Sequence, residues 1–133
     1  MIKSINHIGI AVKDLDASID IFRKIFSFDE IHREKVESQK VEIASFKVGD
    51  VLIELTAATD ETSPISKYLE KKGEGIHHIA FETDDVNKEL GRLSKEGIQL
   101  INQTATEGAH EMQIAFLHPK STNGVLIELC QKK

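Results

Sequence analysis

Two histidines and two glutamates occupy matching places in a chain that repeats itself. His7 opens the segment His7-Ile8-Gly9-Ile10-Ala11-Val12, and His78 opens His78-Ile79-Ala80-Phe81-Glu82-Thr83, 71 residues further on (78 − 7). Glu54 and Glu128 sit inside identical runs, Val51-Leu52-Ile53-Glu54-Leu55 and Val125-Leu126-Ile127-Glu128-Leu129, 74 residues apart (125 − 51). Two imidazoles and two carboxylates supply four N/O ligands to a divalent ion, and an octahedral ion then keeps two positions for water or a chelating substrate. Open positions mark a catalytic metal rather than a structural one. No short metal motif of the HExxH kind accompanies them.

Glu42 is a fifth candidate. It shares its strand face with Ala44 and Phe46, and its repeat mate is Gln113. Glutamine takes no proton at neutral pH, so the repeat loses its symmetry where a base is wanted; the competing reading is a solvated strand glutamate. Cys130 follows Glu128 by two residues and reads as a small apolar filler rather than a nucleophile. His77 points away from the face of His78 and reads as structural. His32, His110 and His118 have no repeat partner and read as surface residues.

The elements that must position these side chains follow from periodicity. Each copy alternates, then shows helical spacing, then alternates again, a βαβββ pattern. In the first copy a strand over about residues 6–12 leads to a helix capped by Asp14, with Leu15, Ile19, Phe22 and Phe26 on one stripe. In the second, Asp85 caps a helix with Val86, Leu90 and Leu93 on its stripe, and Gly97 stops it. Further strands are expected near 29–37, 41–46, 51–56, 99–104, 112–117 and 125–130. Ser63-Pro64 starts a short connecting helix that ends by Gly73. Alternation places Ile8, Ile10 and Val12 under the helix, and His7 with Gly9 and Ala11 on the other face, where small residues leave room. His78 goes with Ala80 in the same way. Two halves this short each carry a face they cannot bury alone, so they are expected to pack as a pseudo-symmetric pair whose inner face gathers His7, Glu54, His78 and Glu128.

Composition narrows the classes. With 133 residues, 40% hydrophobic and 29% charged, the chain suits one cored domain, taken as 1–133 with modules of about 1–60 and 74–133. Its 17 Lys+Arg against 22 Asp+Glu, a formal charge of −5 without a basic cluster, speak against nucleic acid as a partner. One cysteine cannot form an intrachain disulfide, and neither a signal-peptide pattern nor a membrane-length apolar run is present, so a cytoplasmic protein is expected.

The segments 5–12, 63–65 with 67–69, 73–81, 118–121 and 124–129 together resemble the vicinal oxygen chelate superfamily, and within it the methylmalonyl-CoA epimerase family most. The first and last of them are common to the superfamily. Gly73–Glu82 and His118-Pro119-Lys120-Ser121 are more particular to the epimerases. The resemblance implies an α+β fold in which two tandem βαβββ modules form a cupped mixed sheet around a metal site, with helices on the outer face. It implies one divalent ion (Co²⁺, Ni²⁺, Mn²⁺ or Zn²⁺) on His7, Glu54, His78 and Glu128, an acyl-CoA substrate and a homodimer. The implied reaction is interconversion of methylmalonyl-CoA epimers by α-proton removal and return through a metal-stabilised enolate, with Glu42 and Glu128 as the catalytic pair. Symmetry of the repeat would admit Glu54 in place of Glu128. Some epimerases have Gln where Glu54 stands, and glyoxalase I typically has Glu there, so a glyoxalase-like isomerase stays open, as does a metal-free binding or resistance protein. The turn 118–124 lacks the Asp-Pro-Asp-Gly sequence common in glyoxalases and favours the epimerase.

Overall fold

The computed structural model describes every residue from Met1 to Lys133. The chain forms β1 (Ile2–Ala11), α1 (Leu15–Phe26), β2 (His32–Val36), β3 (Val41–Val48), β4 (Val51–Ala58), α2 (Pro64–Lys72), β5 (Gly75–Thr83), α3 (Val86–Lys95), β6 (Thr106–Glu107), β7 (Met112–Leu117) and β8 (Ile127–Lys132). It divides into two compact units: Ile8–His77, and Met1–His7 together with His78–Lys133. The boundaries fall inside β1 and β5.

In the unit Ile8–His77 the strand order is β2-β3-β4-β1. Asp14 starts α1 by accepting from the Ala17 N–H, and Leu15 and Ile19 bury against Val12, Ala44, Leu55 and Ala57. The helical stripe loses burial towards its end. Phe22 is partly buried and Phe26 is 43% exposed, although it stacks on Phe22 and packs on the buried Phe46. The β3–β4 hairpin turns in two residues, Gly49-Asp50, with Val48 opposite Val51 and Gly49 at φ +62, a conformation that favours glycine. Ser63 caps α2, Pro64 takes its first turn, and Gly73 ends it at φ +76. β2 begins at His32 rather than near Asp29, because Phe28 and Ile31 are drawn onto the α1 core instead of into the ladder.

The second unit has the order β1-β5-β8-β7-β6. β5 and β8 run parallel while β7 pairs antiparallel with both β8 and β6, so the sheet is mixed and the class α+β, as expected. Asp85 caps α3, and Val86 and Leu90 pack with Ala115, Leu117 and Leu129. Ala80, Met112, Ile114 and Cys130 form a separate cluster from the opposite face. Replacing Leu90, 1% exposed, by alanine is expected to cost about 2–5 kcal/mol in urea-unfolding stability.

Two expected strands of this second unit change. Residues 99–104 form no strand beyond a single bridge at Leu100, because the Asn102 side chain accepts from the Phe116 N–H while the Phe116 carbonyl is taken by the Ile101 N–H. The last strand starts at Ile127 and not Val125. Both backbone groups of Val125 are occupied by Thr122, whose carbonyl takes the N–H and whose hydroxyl donates to the C=O. No helix is long and apolar enough to cross a membrane.

One buried carboxylate gives α3 a pH dependence. Glu89, with its side chain 5% exposed, accepts from Arg92 Nε at 3.2 Å and Nη2 at 3.1 Å, and lies 3.6 Å from the Met1 amino group. The Arg92 hydrogen bonds hold its carboxyl below the ordinary range, against the opposing pull of burial. A carboxyl depressed by folding stabilises the native state above its unfolded pKa, about 4.3, and that stability is lost as pH falls through the lower folded value. Glu89→Gln is therefore expected to be less stable than the parent at pH 7 by about 1 kcal/mol, with the gap closing in acid. Urea titrations across the acid range check this; a gap that stays constant on acidification contradicts it.

Candidate metal centre and active site

β1 alternates so that His7 shares a face with Gly9, and both are buried. β5 places His78 beside Ala80, which is fully buried. The parallel register sets Ala80 opposite Glu128 on β8, and the antiparallel register sets Phe116 opposite the same glutamate. The side chains of His78, Ala80, Phe116 and Glu128 therefore stand on the face away from α3, which packs on Phe81, Ala115, Leu117 and Leu129. Within this unit three groups of the expected set converge. His7 Nε2 and His78 Nε2 are 3.1 Å apart, and each lies 3.4 Å from a different oxygen of Glu128. The imidazoles meet edge to face with centroids 5.2 Å apart, and Phe116 walls the His78 ring at 5.8 Å.

This geometry suits a cation. Ligands about 2.1 Å from an ion are about 3.0 Å apart at a right angle and about 3.4 Å apart at the tetrahedral angle. The three observed edges span that range. His7 and His78 are 5% and 7% exposed and Glu128 is 4% exposed, and a desolvated carboxylate needs positive charge close by. Two imidazole nitrogens and a carboxylate thus form a donor set that suits a divalent ion.

The unit Ile8–His77 holds Glu54 and Glu42. Glu54 is 4% exposed in mid-β4 and pairs opposite Ser45. Glu42 pairs opposite Ala57, on the same side of the hairpin as Ala44 and Leu55, which pack under α1. The two glutamates consequently occupy opposite faces of β3–β4, and Val41, Ile43, Ser45 and Lys47 are the β3 residues that share the face of Glu54. Glu42 Oε2 accepts from Arg33 Nη2 at 3.2 Å, and Arg33 Nη1 reaches Asp16 at 2.6 Å.

The remaining candidates have structural partners. His77 packs edge-on against Tyr68 at 4.8 Å, and burial pushes its imidazole down to about 4, so it is neutral at pH 7. His118 Nδ1 accepts the Lys120 N–H and caps a short turn. His32 pairs with Glu34 at 3.0 Å. His110 adopts φ +57 within the turn before β7. The Cys130 thiol is buried and bonds to the Phe81 carbonyl at 3.5 Å. Sequence reasoning passed over Asn6 and Phe116, both in contact with the histidines. The only signal for Asn6 was its place next to His7.

Comparison with known proteins fits this arrangement. The family model of the glyoxalase/bleomycin resistance protein/dioxygenase superfamily matches residues 6–116. The mitochondrial methylmalonyl-CoA epimerase of Dictyostelium discoideum is 37% identical, the match covering 98% of this chain and 80% of that protein. The ethylmalonyl-CoA/methylmalonyl-CoA epimerase of Cereibacter sphaeroides is 35% identical, covering 98% and 99%. A solved methylmalonyl-CoA epimerase in complex with methylmalonyl-CoA and NH4+ superposes with a TM-score of 0.94 at 37% identity, over 99% of this chain and 96% of that one. The chain belongs to the glyoxalase/bleomycin resistance protein/dioxygenase superfamily and, within it, to the methylmalonyl-CoA epimerase family.

Proposed function

We infer that the protein is a methylmalonyl-CoA epimerase, acting as one domain over 1–133. The observation that carries the reading is the convergence of His7, His78 and Glu128 to 3.1–3.4 Å in a chain whose full-length relatives are epimerases of malonyl-type thioesters. We propose these three as metal ligands and Glu54 as the fourth, the last on the strength of the repeat and its burial in mid-strand. When bound, a divalent ion supplies Lewis-acid polarisation of the thioester and carboxylate oxygens flanking the α-carbon.

The rest of the chemistry falls to side chains. The α C–H bond breaks as a carboxylate takes the proton, the electron pair moves into the thioester carbonyl, and a proton returns to the carbon from its other face. Glu128 is assigned to one face, its two oxygens already turned to two different imidazoles. Glu42 is assigned to the other on the family resemblance and the Gln113 asymmetry. Its register position under α1 and its ion pair with Arg33 stand against that second assignment. The family resemblance also supports an acyl-CoA substrate and a homodimer, and Co²⁺, Ni²⁺, Mn²⁺ or Zn²⁺ as the ion. Cysteine usage supports the cytoplasm.

The test is exchange of the methylmalonyl-CoA α-proton with solvent deuterium, followed with and without chelator. Exchange that requires metal supports the reading. Turnover of a glutathione hemithioacetal without such exchange moves the protein to the glyoxalase-like activity. Exchange at parental rate in Glu42→Ala removes Glu42 and leaves the remainder standing.

A further inference from the structure

The assignment of His7 as a ligand requires its Nε2 lone pair to face the ion, and neighbouring side chains dictate whether it does. Glu82 is the starting point. A carboxylate offers no N–H, so in its contact with Asn6 Nδ2 at 3.3 Å the amide nitrogen donates and Glu82 Oε1 accepts. That orients the Asn6 amide and turns its oxygen to His7 Nδ1, 2.7 Å away. An amide oxygen only accepts, so His7 Nδ1 carries the proton. A neutral imidazole then keeps its lone pair on Nε2, the atom 3.1 Å from His78 Nε2 and 3.4 Å from Glu128. Lys3 anchors the far end, with Nζ 3.8 Å from Glu82 and 3.0 Å from Asp84.

We propose that Asn6 and Glu82 are positioning residues that lock His7 in the Nδ1–H tautomer and so preorganise its Nε2 for metal. Hydrogen bonds of this kind orient a ligating histidine and raise its basicity, and their loss commonly weakens metal binding by about 10–100-fold. The inference rests on His7 being a ligand, and it explains the residue type at position 6. Asparagine both accepts from His7 and donates to Glu82, whereas an aspartate there would face Glu82 without a donor between them.

The experiment has two readouts. Nitrogen-resolved NMR of the imidazoles in metal-free protein, at about pH 8 where an ordinary histidine is neutral, reports the tautomer directly. Titration with Co²⁺ alone reports affinity. The parent is expected to hold His7 as Nδ1–H; Asn6→Leu is expected to give mixed tautomers and to bind Co²⁺ about 10–100-fold more weakly. Asn6→Asp is expected to weaken binding too, and Asn6→Asp combined with Glu82→Gln to restore it, because the amide donor then lies on the other partner. This pair carries the test if Asn6→Leu fails to fold. A parent that shows Nε2–H, or an Asn6→Leu variant with unchanged tautomer and affinity, overturns the inference. A parent with the Nδ1–H tautomer and no affinity for Co²⁺ instead removes the metal centre while upholding the tautomer lock.

Discussion

Glu128→Gln is expected to slow α-proton exchange of methylmalonyl-CoA by about 10²–10⁴-fold, the range for loss of a positioned general base. The substitution keeps the side-chain shape and one oxygen, so it separates proton transfer from packing. Glu128 lies in β8, where the parallel register with β5 holds it beside Ala80, and its oxygens sit 3.4 Å from each imidazole. A glutamine there still presents an oxygen towards one histidine, while the basic electron pair needed to break the C–H bond is gone. Deuterium wash-in followed by mass spectrometry, with metal content measured on the same sample, checks the outcome. Exchange within about tenfold of the parent, with full metal occupancy, would exclude Glu128 as the base and shift the role to Glu54, its repeat mate.

The second large effect concerns the centre itself. His78→Ala removes one of three donors whose mutual distances are 3.1–3.4 Å, and it leaves a buried carboxylate facing a single imidazole. Stoichiometric metal is expected to be lost, and exchange with it. A ligand held at about 100 times its dissociation constant stabilises the folded state by about 2.7 kcal/mol, equivalent to roughly 10 °C in Tm for a domain of this size. Chelator should therefore lower the Tm of the metal-loaded parent by that order and leave the Tm of His78→Ala where it was. Elemental analysis and thermal unfolding read this together. Full metal occupancy in the variant would place the ion elsewhere.

Much of this proposed centre is legible before folding. The duplicated runs identify His7 with His78 and Glu54 with Glu128, and alternation assigns each to the face opposite the helix stripe. The structure agrees for His78 and Glu128, because Phe81, Ile127 and Leu129 pack under α3 while Ala80 and Cys130 cluster on the other face. Helix starts at Asp14, Ser63 and Asp85 are legible for the same reason: capping is chemistry between residues two or three apart. The face of Glu42 is subtler. The two-residue turn at Gly49-Asp50 makes every β3–β4 pair join one even and one odd position, so Glu42 and Glu54, both even, fall on opposite faces. Counting through the turn would have revealed it.

Side-chain competition for the backbone is harder to foresee. Asn102 and Thr122 each intercept hydrogen bonds that a strand needs, and an alternating apolar pattern is blind to which partner arrives first. By itself, then, the sequence determined the repeat, the helix starts, the residue types of the proposed centre and the face shared by His78 and Glu128, because all of these follow from local periodicity and neighbour chemistry. Tertiary structure alone decided that β5 pairs parallel with β8, which carries His78 to Glu128 across 50 positions of chain (128 − 78), and that Glu82 reaches Asn6 behind His7. Long-range pairing is selected by the packing of whole faces, and no local pattern specifies which strand comes to lie beside which.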